Sequence, residues 1–294
     1  MLYSHIDVIV PTNVKEAYAV LDRYRDEVRV VAGSTDISVM LKDGRVRESK
    51  FLDLSHLNEL RYIKTQRDGR IHIGAGATYG DCARHGRLRK EASVLLQAIE
   101  TIGAPPLRNI ATVAGNLANA SPAGDSIPPL FVLDAGVILE SASGKREIPI
   151  DAFFSGYRKT VREPNELIRE VAFCPIRRGE IAFFKKLGLR RANAISVASV
   201  ALWARLEMGR VSETRIALGA VAPTVIRARR TETMLTGTQL TMERIREVAK
   251  CCAEESHPIS DIRGSASYRR QAIEALIYMG LVEATPSLQN RKSL

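Results

Sequence analysis

Two changes of pattern along the chain predict an α+β protein built in two parts. Before Pro175, short apolar runs end in turn residues and alternate with helical stripes. After it come two long strand-like runs, 194–207 and 215–221, and then a series of helices, the order expected of a separate α+β layer. The 294 residues, 45% hydrophobic and 26% charged, are enough for two domains and a substantial core. The division falls near Ile176, giving units 1–175 and 176–294 with no low-complexity linker and no internal repeat.

In order, Val14, Ala17, Tyr18, Leu21 and Val28 follow a helical stripe, introduced by Pro11, Thr12 and Asn13 as its cap. A strand over 29–32 runs into Gly33, Ser34, Thr35 and Asp36, and Ile37, Val39, Met40 and Leu41 then predict a short helix. A strand around 50–54 precedes a hairpin over 61–75, turned at Asp68 and Gly69. Helices are expected over 78–84 and 91–102. Segments 130–134 and 137–141 come later, and Ser143 and Gly144 turn the second of these into 146–150. A strand over 166–173 is closed by Pro175, and the last helices fall near 224–236, 241–255 and 267–279.

The stretch 102–129, IGAPPLRNIATVAGNLANASPAGDSIPP, stands apart. It is long, weakly charged, rich in Gly, Ala, Asn, Ser and Pro, and carries neither helical nor strand periodicity. Connections of this length inside a compact unit are functional or disordered, and the low charge argues against disorder. Thr112, Gly115, Asn116, Asn119, Ser121, Gly124 and Asp125 would let main-chain N–H groups approach a ligand while short polar side chains add bonds. The turn at 33–36 has the strand-to-helix form that aims N–H groups at an anion. Its plain reading is an N-capped helix start. Two such segments in one chain favour a phosphate-bearing ligand, a dinucleotide.

Other classes fare worse. The net charge of +10 is spread over scattered arginines and lysines (Arg87, Arg89 and Lys90; Arg177 and Arg178; Arg190 and Arg191; the run 227–230) without interleaved aromatics, so no nucleic-acid interface is expected. Docking to an acidic protein suits it better. No apolar run reaches about 18 residues, so no membrane span is expected. The first residues lack the pattern of a signal peptide, and a cytoplasmic location is expected. Cys82, Cys174, Cys251 and Cys252 have no cluster or zinc spacing and read mostly as buried thiols; the dispersed histidines give no metal site. No nucleophile–base constellation appears.

The motifs AGSTD and TVAGNLANASPAGD, with DAFFSGYRKT, ELIREVAFCP, FFKKLGLRRANAIS and SDIRGSASYRR following in order, resemble the FAD-binding medium subunits of the molybdenum hydroxylases, the xanthine dehydrogenase and carbon monoxide dehydrogenase type. The resemblance spans almost the whole chain. It departs at Ser34 and Ala114, where the family commonly has Gly.

The resemblance implies an FAD-binding domain of the vanillyl-alcohol-oxidase type over 1–175, its two subdomains split near 57, and a smaller α+β domain after it. It implies non-covalent FAD, with Val31, Ala32, Gly33, Ser34, Thr35, Asp36 and Ile37 on one side of the pyrophosphate and Thr112, Val113, Ala114, Gly115 and Asn116 on the other. Asp36, an acceptor only while ionised, is expected to hold its loop by bonding to local backbone. Asp125 would accept a bond from the ribitol or adenosine side. Ile102 and Ile168 complete the set, and Lys186 would bring a positive charge to the flavin, with Lys185 as the competing position. Arg108 and Asn109 would fix the approach to the second loop.

The chain would then be an electron-transfer oxidoreductase subunit within a heterotrimer. Molybdopterin would lie on a large subunit and two [2Fe–2S] clusters on a small one, with NAD or oxygen as acceptor. A stand-alone flavin oxidase and a non-catalytic scaffold or assembly protein remain as alternatives.

Overall fold

The computed structural model describes residues 6–285 except Arg47 and Arg191, so the second arginine of the 190–191 pair lies outside the described residues. The chain opens with β1 (Asp7–Ile9), α1 (Val14–Tyr24), β2 (Val28–Val31), α2 (Ile37–Lys42) and β3 (Lys50–Asp53). The three strands form a small parallel sheet in the order β1-β3-β2. Asn13 caps α1 by accepting from the Glu16 N–H, and the stripe Val14, Ala17, Tyr18, Leu21 is buried. Val28 is not on that stripe; it begins β2.

A five-stranded antiparallel sheet follows in the order β4-β5-β10-β6-β7, from β4 (Ile63–Thr65), β5 (Ile71–Gly74), β6 (Gly136–Ser141), β7 (Gly144–Pro149) and β10 (Leu167–Phe173). The expected hairpins are present, with Gly69 at φ +79° in the first turn. Between β5 and β6 lies a helical layer: α3 (Tyr79–Arg84), α4 (Gly86–Glu91), α5 (Ser93–Thr101), α6 (Pro105–Arg108), α7 (Val113–Asn119) and α8 (Ile127–Val132). The expectation of an irregular 102–129 is thus corrected. Its helices are four to seven residues long, too short to print a 3.6-residue pattern, and two of them carry prolines in the first turn, where proline is tolerated. Segment 130–134 belongs to the end of α8 and its cap rather than standing apart. Helix α9 (Ile150–Phe153) leads to a two-stranded ribbon, β8 (Phe154–Gly156) and β9 (Lys159–Thr160).

The last part is a four-stranded antiparallel sheet, β11 (Ile181–Gly188), β12 (Ser196–Glu207), β13 (Arg210–Gly219) and β14 (Ile226–Arg227), with α10 (Arg229–Leu235), α11 (Met242–Glu254) and α12 (Ala266–Ala284). Strand β14 occupies the start of the region expected to be helical from 224. Strand β12 is a continuous apolar run because both its faces are buried. Phe184, Ala201, Trp203 and Ala217 join the core under the helical layer, whereas Phe183, Val200, Leu202 and Leu218 pack with α11 and α12. Period-two alternation decides which residue goes to which side. A third, smaller core joins α1, β2 and β3 to Leu57, Leu60 and Leu167.

Arg269 of α12 is buried, and its guanidinium ties the second part together. It donates to the carbonyls of Val197 and Ala220 at 3.0 and 2.8 Å and to Asp261 at 2.6 Å.

Candidate functional site

A cleft of about 440 Å³ opens where the turn after β2 faces the segment from α5 to α8, and the β11–β12 connection closes one end through Asn193, Ala194 and Ile195. The first wall is the run from Val31 to Ile37. Gly33 lies so close to the second wall that a Cβ there would sit 2.0 Å from the carbonyl oxygen of Ile110. The two walls are therefore held in backbone contact, which glycine alone allows. Ser34 adopts φ +55°, a left-handed conformation that costs any residue with a Cβ. This shape turns the N–H groups of Gly33, Ser34, Thr35 and Asp36 away from every acceptor among the described residues.

The second wall starts at Thr112, whose hydroxyl caps α7 by accepting from the Gly115 N–H at 2.9 Å. In the first turn of α7 the Val113 N–H is turned to β-bridge pairing with the segment before α3, and the Ala114 N–H has no acceptor among the described residues. Further along, Ala120 ends α7 in the left-handed region, and the Ser126 hydroxyl donates to Asn116 Oδ1 at 2.8 Å. The Tyr79 hydroxyl, also 2.9 Å from Ser126, lies at the cleft and is buried; desolvation pushes its pKa well above the ordinary phenol value. Arg108 secures the approach to this wall by donating to the Ile102 carbonyl at 2.8 Å. The Asn109 carboxamide oxygen accepts from Arg84 at 3.5 Å.

Beneath both walls lies an ion pair. Lys186 Nζ donates to Asp125 Oδ2 at 2.6 Å and to the carbonyls of Thr101 and Ala194, while the Ser196 hydroxyl donates to Asp125 Oδ1 at 2.5 Å. Burial raises the Asp125 pKa, opposed by Lys186 and Ser196. Strand alternation separates the two candidate lysines: Lys185 points the other way and pairs with Glu283 of α12.

The structure brings most of the sequence-derived set to one place. Val31, Ala32, Gly33, Ser34, Thr35, Asp36, Ile37, Ile102, Thr112, Gly115, Asn116 and Asp125 all line the cleft. Val113 and Ala114 send their side chains into the core, leaving only main chain to the wall, and Ile168 is buried on β10. Lys186 lies behind Asp125 rather than on the lining, and its charge is matched there. The expectation for Asp36 is also corrected. Its carboxylate caps no backbone N–H of α2; it lies at the cleft, where partial desolvation raises its pKa and the Arg158 charge acts in the opposite direction. Sequence reasoning missed Tyr79, Asn193 and Arg158 as lining residues. Arg158 and Asn193 had a signal, since they lie in the DAFFSGYRKT and FFKKLGLRRANAIS motifs.

Comparison with known proteins agrees with this geometry. Residues 4–175 match the family described as the FAD binding domain in molybdopterin dehydrogenase, and residues 182–284 match the CO dehydrogenase flavoprotein C-terminal domain. The chain belongs to this flavoprotein family.

The glyceraldehyde dehydrogenase medium chain of Sulfolobus acidocaldarius is 33% identical over 85% of this chain and 88% of its own length. The nicotinate dehydrogenase FAD-subunit of Eubacterium barkeri is 27% identical over 96% and 97%. Among solved structures, a carbon monoxide dehydrogenase chain from Hydrogenophaga pseudoflava superposes with a TM-score of 0.92 at 28% identity, covering 97% of this chain and 99% of that one.

FAD fits the residues present. The dinucleotide's diphosphate needs N–H donors, and the two walls offer unspent amides on Gly33, Ser34, Thr35, Asp36 and Ala114. Neither departure from the common glycines blocks the cleft, because Ser34 takes the left-handed backbone and Ala114 faces the core. As an FAD-binding member of this family, the chain is an oxidoreductase subunit.

Proposed function

We propose that the chain is the electron-transferring middle subunit of a heterotrimeric molybdenum hydroxylase. In this reading a large subunit holds molybdopterin and oxidises substrate, a small subunit holds two [2Fe–2S] clusters, and electrons leave this chain to an acceptor such as NAD or oxygen. The subunits work in the cytoplasm, and the chain divides near Ile176 into FAD-binding and C-terminal domains, the first split near 57. The observation that carries the reading is the two-walled cleft of unspent amides in a chain matched along its length by proteins named medium chain or FAD-subunit.

Bound FAD supplies the change between two-electron and one-electron transfer. The chain's own residues bind and orient it. Backbone amides of both walls hold the diphosphate, Gly33 keeps the walls at contact distance, and the Lys186–Asp125 pair fixes the cleft floor to β11 and β12. None of this machinery addresses an organic substrate, which fits a carrier better than a stand-alone oxidase.

The test is reconstitution. The isolated chain should bind FAD yet leave it oxidised when given a purine, an aldehyde or an N-heterocycle. Adding the molybdenum and iron–sulfur chains that co-purify with it should restore substrate-driven bleaching of the flavin absorbance. Turnover by the lone chain would replace this reading with the stand-alone oxidase, and a colourless chain that takes up no FAD would replace it with the scaffold.

A further inference from the structure

Two arginines line the cleft among the described residues, and they differ in how their charge is used. Arg29 is paired with Glu48 at 3.2 Å. Arg158 has no carboxylate within ion-pair distance among the described residues. It sits at the turn of the β8–β9 ribbon with φ +54°, a backbone strained for a residue carrying a Cβ. That backbone delivers the guanidinium to the cleft, where Nη1 donates to Asn119 Oδ1 of α7 at 2.9 Å. One bond leaves the other N–H groups of its fork free. The Asp36 carboxyl on the first wall also feels this cation.

While ionised, the Asp36 carboxylate is a poor neighbour for a diphosphate, because it then accepts hydrogen bonds only and repels anions. A guanidinium has the opposite properties and the planar fork that phosphate oxygens take. We propose that Arg158 is an anion-binding residue of the cleft, its guanidinium holding the diphosphate of the dinucleotide and offsetting the charge of Asp36. The inference rests on the FAD reading and adds a side-chain cation to a site otherwise made of backbone amides. Asn119 aims the fork, and the ribbon carries it across the opening between the walls.

The experiment titrates FAD into flavin-free protein, following the quenching of flavin fluorescence, with ADP as a competitor that carries the diphosphate without the isoalloxazine. Arg158→Gln should weaken FAD about 10- to 100-fold, the scale of a charge-assisted hydrogen bond, and weaken ADP by the same factor. Its thermal midpoint should stay at the wild-type value. In that background Asp36→Asn should recover part of the loss, since the uncompensated carboxylate is then gone. The wild-type Kd should also rise more steeply with added salt than that of Arg158→Gln.

Asn119→Ala separates charge from tethering. It loosens the aim but keeps the cation, so its loss should be several-fold smaller. An Arg158→Gln protein that binds FAD and ADP as the wild type does would overturn the proposal. So would an Asn119→Ala protein with the same loss as Arg158→Gln, because the arginine would then only fasten the ribbon. Failure of the cofactor reading itself looks different: the wild-type chain would take up no FAD.

Discussion

Lys186 and Asp125 meet at 2.6 Å under the cleft, one carried by β11 and the other by the segment between α7 and α8. They are 61 residues apart, and both are largely buried. The contact fastens the cofactor wall to the sheet of the second part of the chain.

Removing Lys186 should cost more than removing the charge on Asp125. Lys186→Met leaves a buried carboxylate with only Ser196 as donor, and breaking a buried pair in this way costs about 3–5 kcal/mol. Asp125→Asn leaves the ammonium two carbonyls, those of Thr101 and Ala194, and should cost about 1–3 kcal/mol. Denaturant unfolding of the flavin-free proteins checks the order, and equal losses would mean the carbonyls contribute nothing.

Gly33 and Gly115 should respond differently to substitution. A Cβ on Gly33 meets backbone at 2.0 Å, so Gly33→Ala should both separate the walls and abolish FAD binding. At Gly115 the added atom meets only the Thr112 hydroxyl at 2.9 Å on an exposed helix face. Gly115 is not left-handed, so Gly115→Val acts through the cap and the lost space, and should reduce FAD content in a folded protein. Flavin absorbance and circular dichroism, measured together, distinguish the two.

The two departures from the common glycines should also part. Ser34→Gly relieves a left-handed residue and should stabilise the flavin-free protein by about 1 kcal/mol. Ala114→Gly lies inside α7 and should destabilise by about 1 kcal/mol. Thermal midpoints moving in the same direction would contradict this account.

The flavin should be released by acid precipitation. Tyr79 is the lining side chain with a hydroxyl acid enough to consider for attachment, but it is hydrogen-bonded to Ser126 and burial disfavours its ionisation. Yellow colour retained in the pellet would show a covalent link.

Acid should erode the anchoring of α12. Bonds from the Arg263 side chain and N–H, joined by Arg269, hold the Asp261 carboxyl well below the usual carboxylate range. A folded pKa below the unfolded value of about 4 contributes stability above that pH and loses it as pH falls. Asp261→Asn should therefore lower the thermal midpoint at pH 7, with the gap to wild type closing below about pH 4. A gap that persists unchanged at pH 3 would place the effect elsewhere.

Much of the fold was readable because its long elements bury one face or two. The stripe of α1, the hairpin at Asp68 and Gly69 and the apolar run of β12 each print their period in the chain. The helices of 102–129 did not, since a helix of four to seven residues completes two turns at most. In the site, the glycine turn and Thr112 were legible from local chemistry. The pairing of Lys186 with Asp125 was not, because only the folded chain brings β11 beneath the wall. Arg158 lay within the DAFFSGYRKT motif, but only the folded chain shows that its ribbon reaches the cleft.

The cleft draws its lining from Arg29 through Ile195. Its floor needs Lys186 and Ser196 as well. A ribosome making this chain must therefore pass Ser196 before the pocket exists at all. The cofactor is a late guest, taken up by a finished or nearly finished polypeptide, because a fragment ending near Ile176 would lack the floor, part of the lining and the core residues Phe184, Ala201, Trp203 and Ala217 beneath the helical layer.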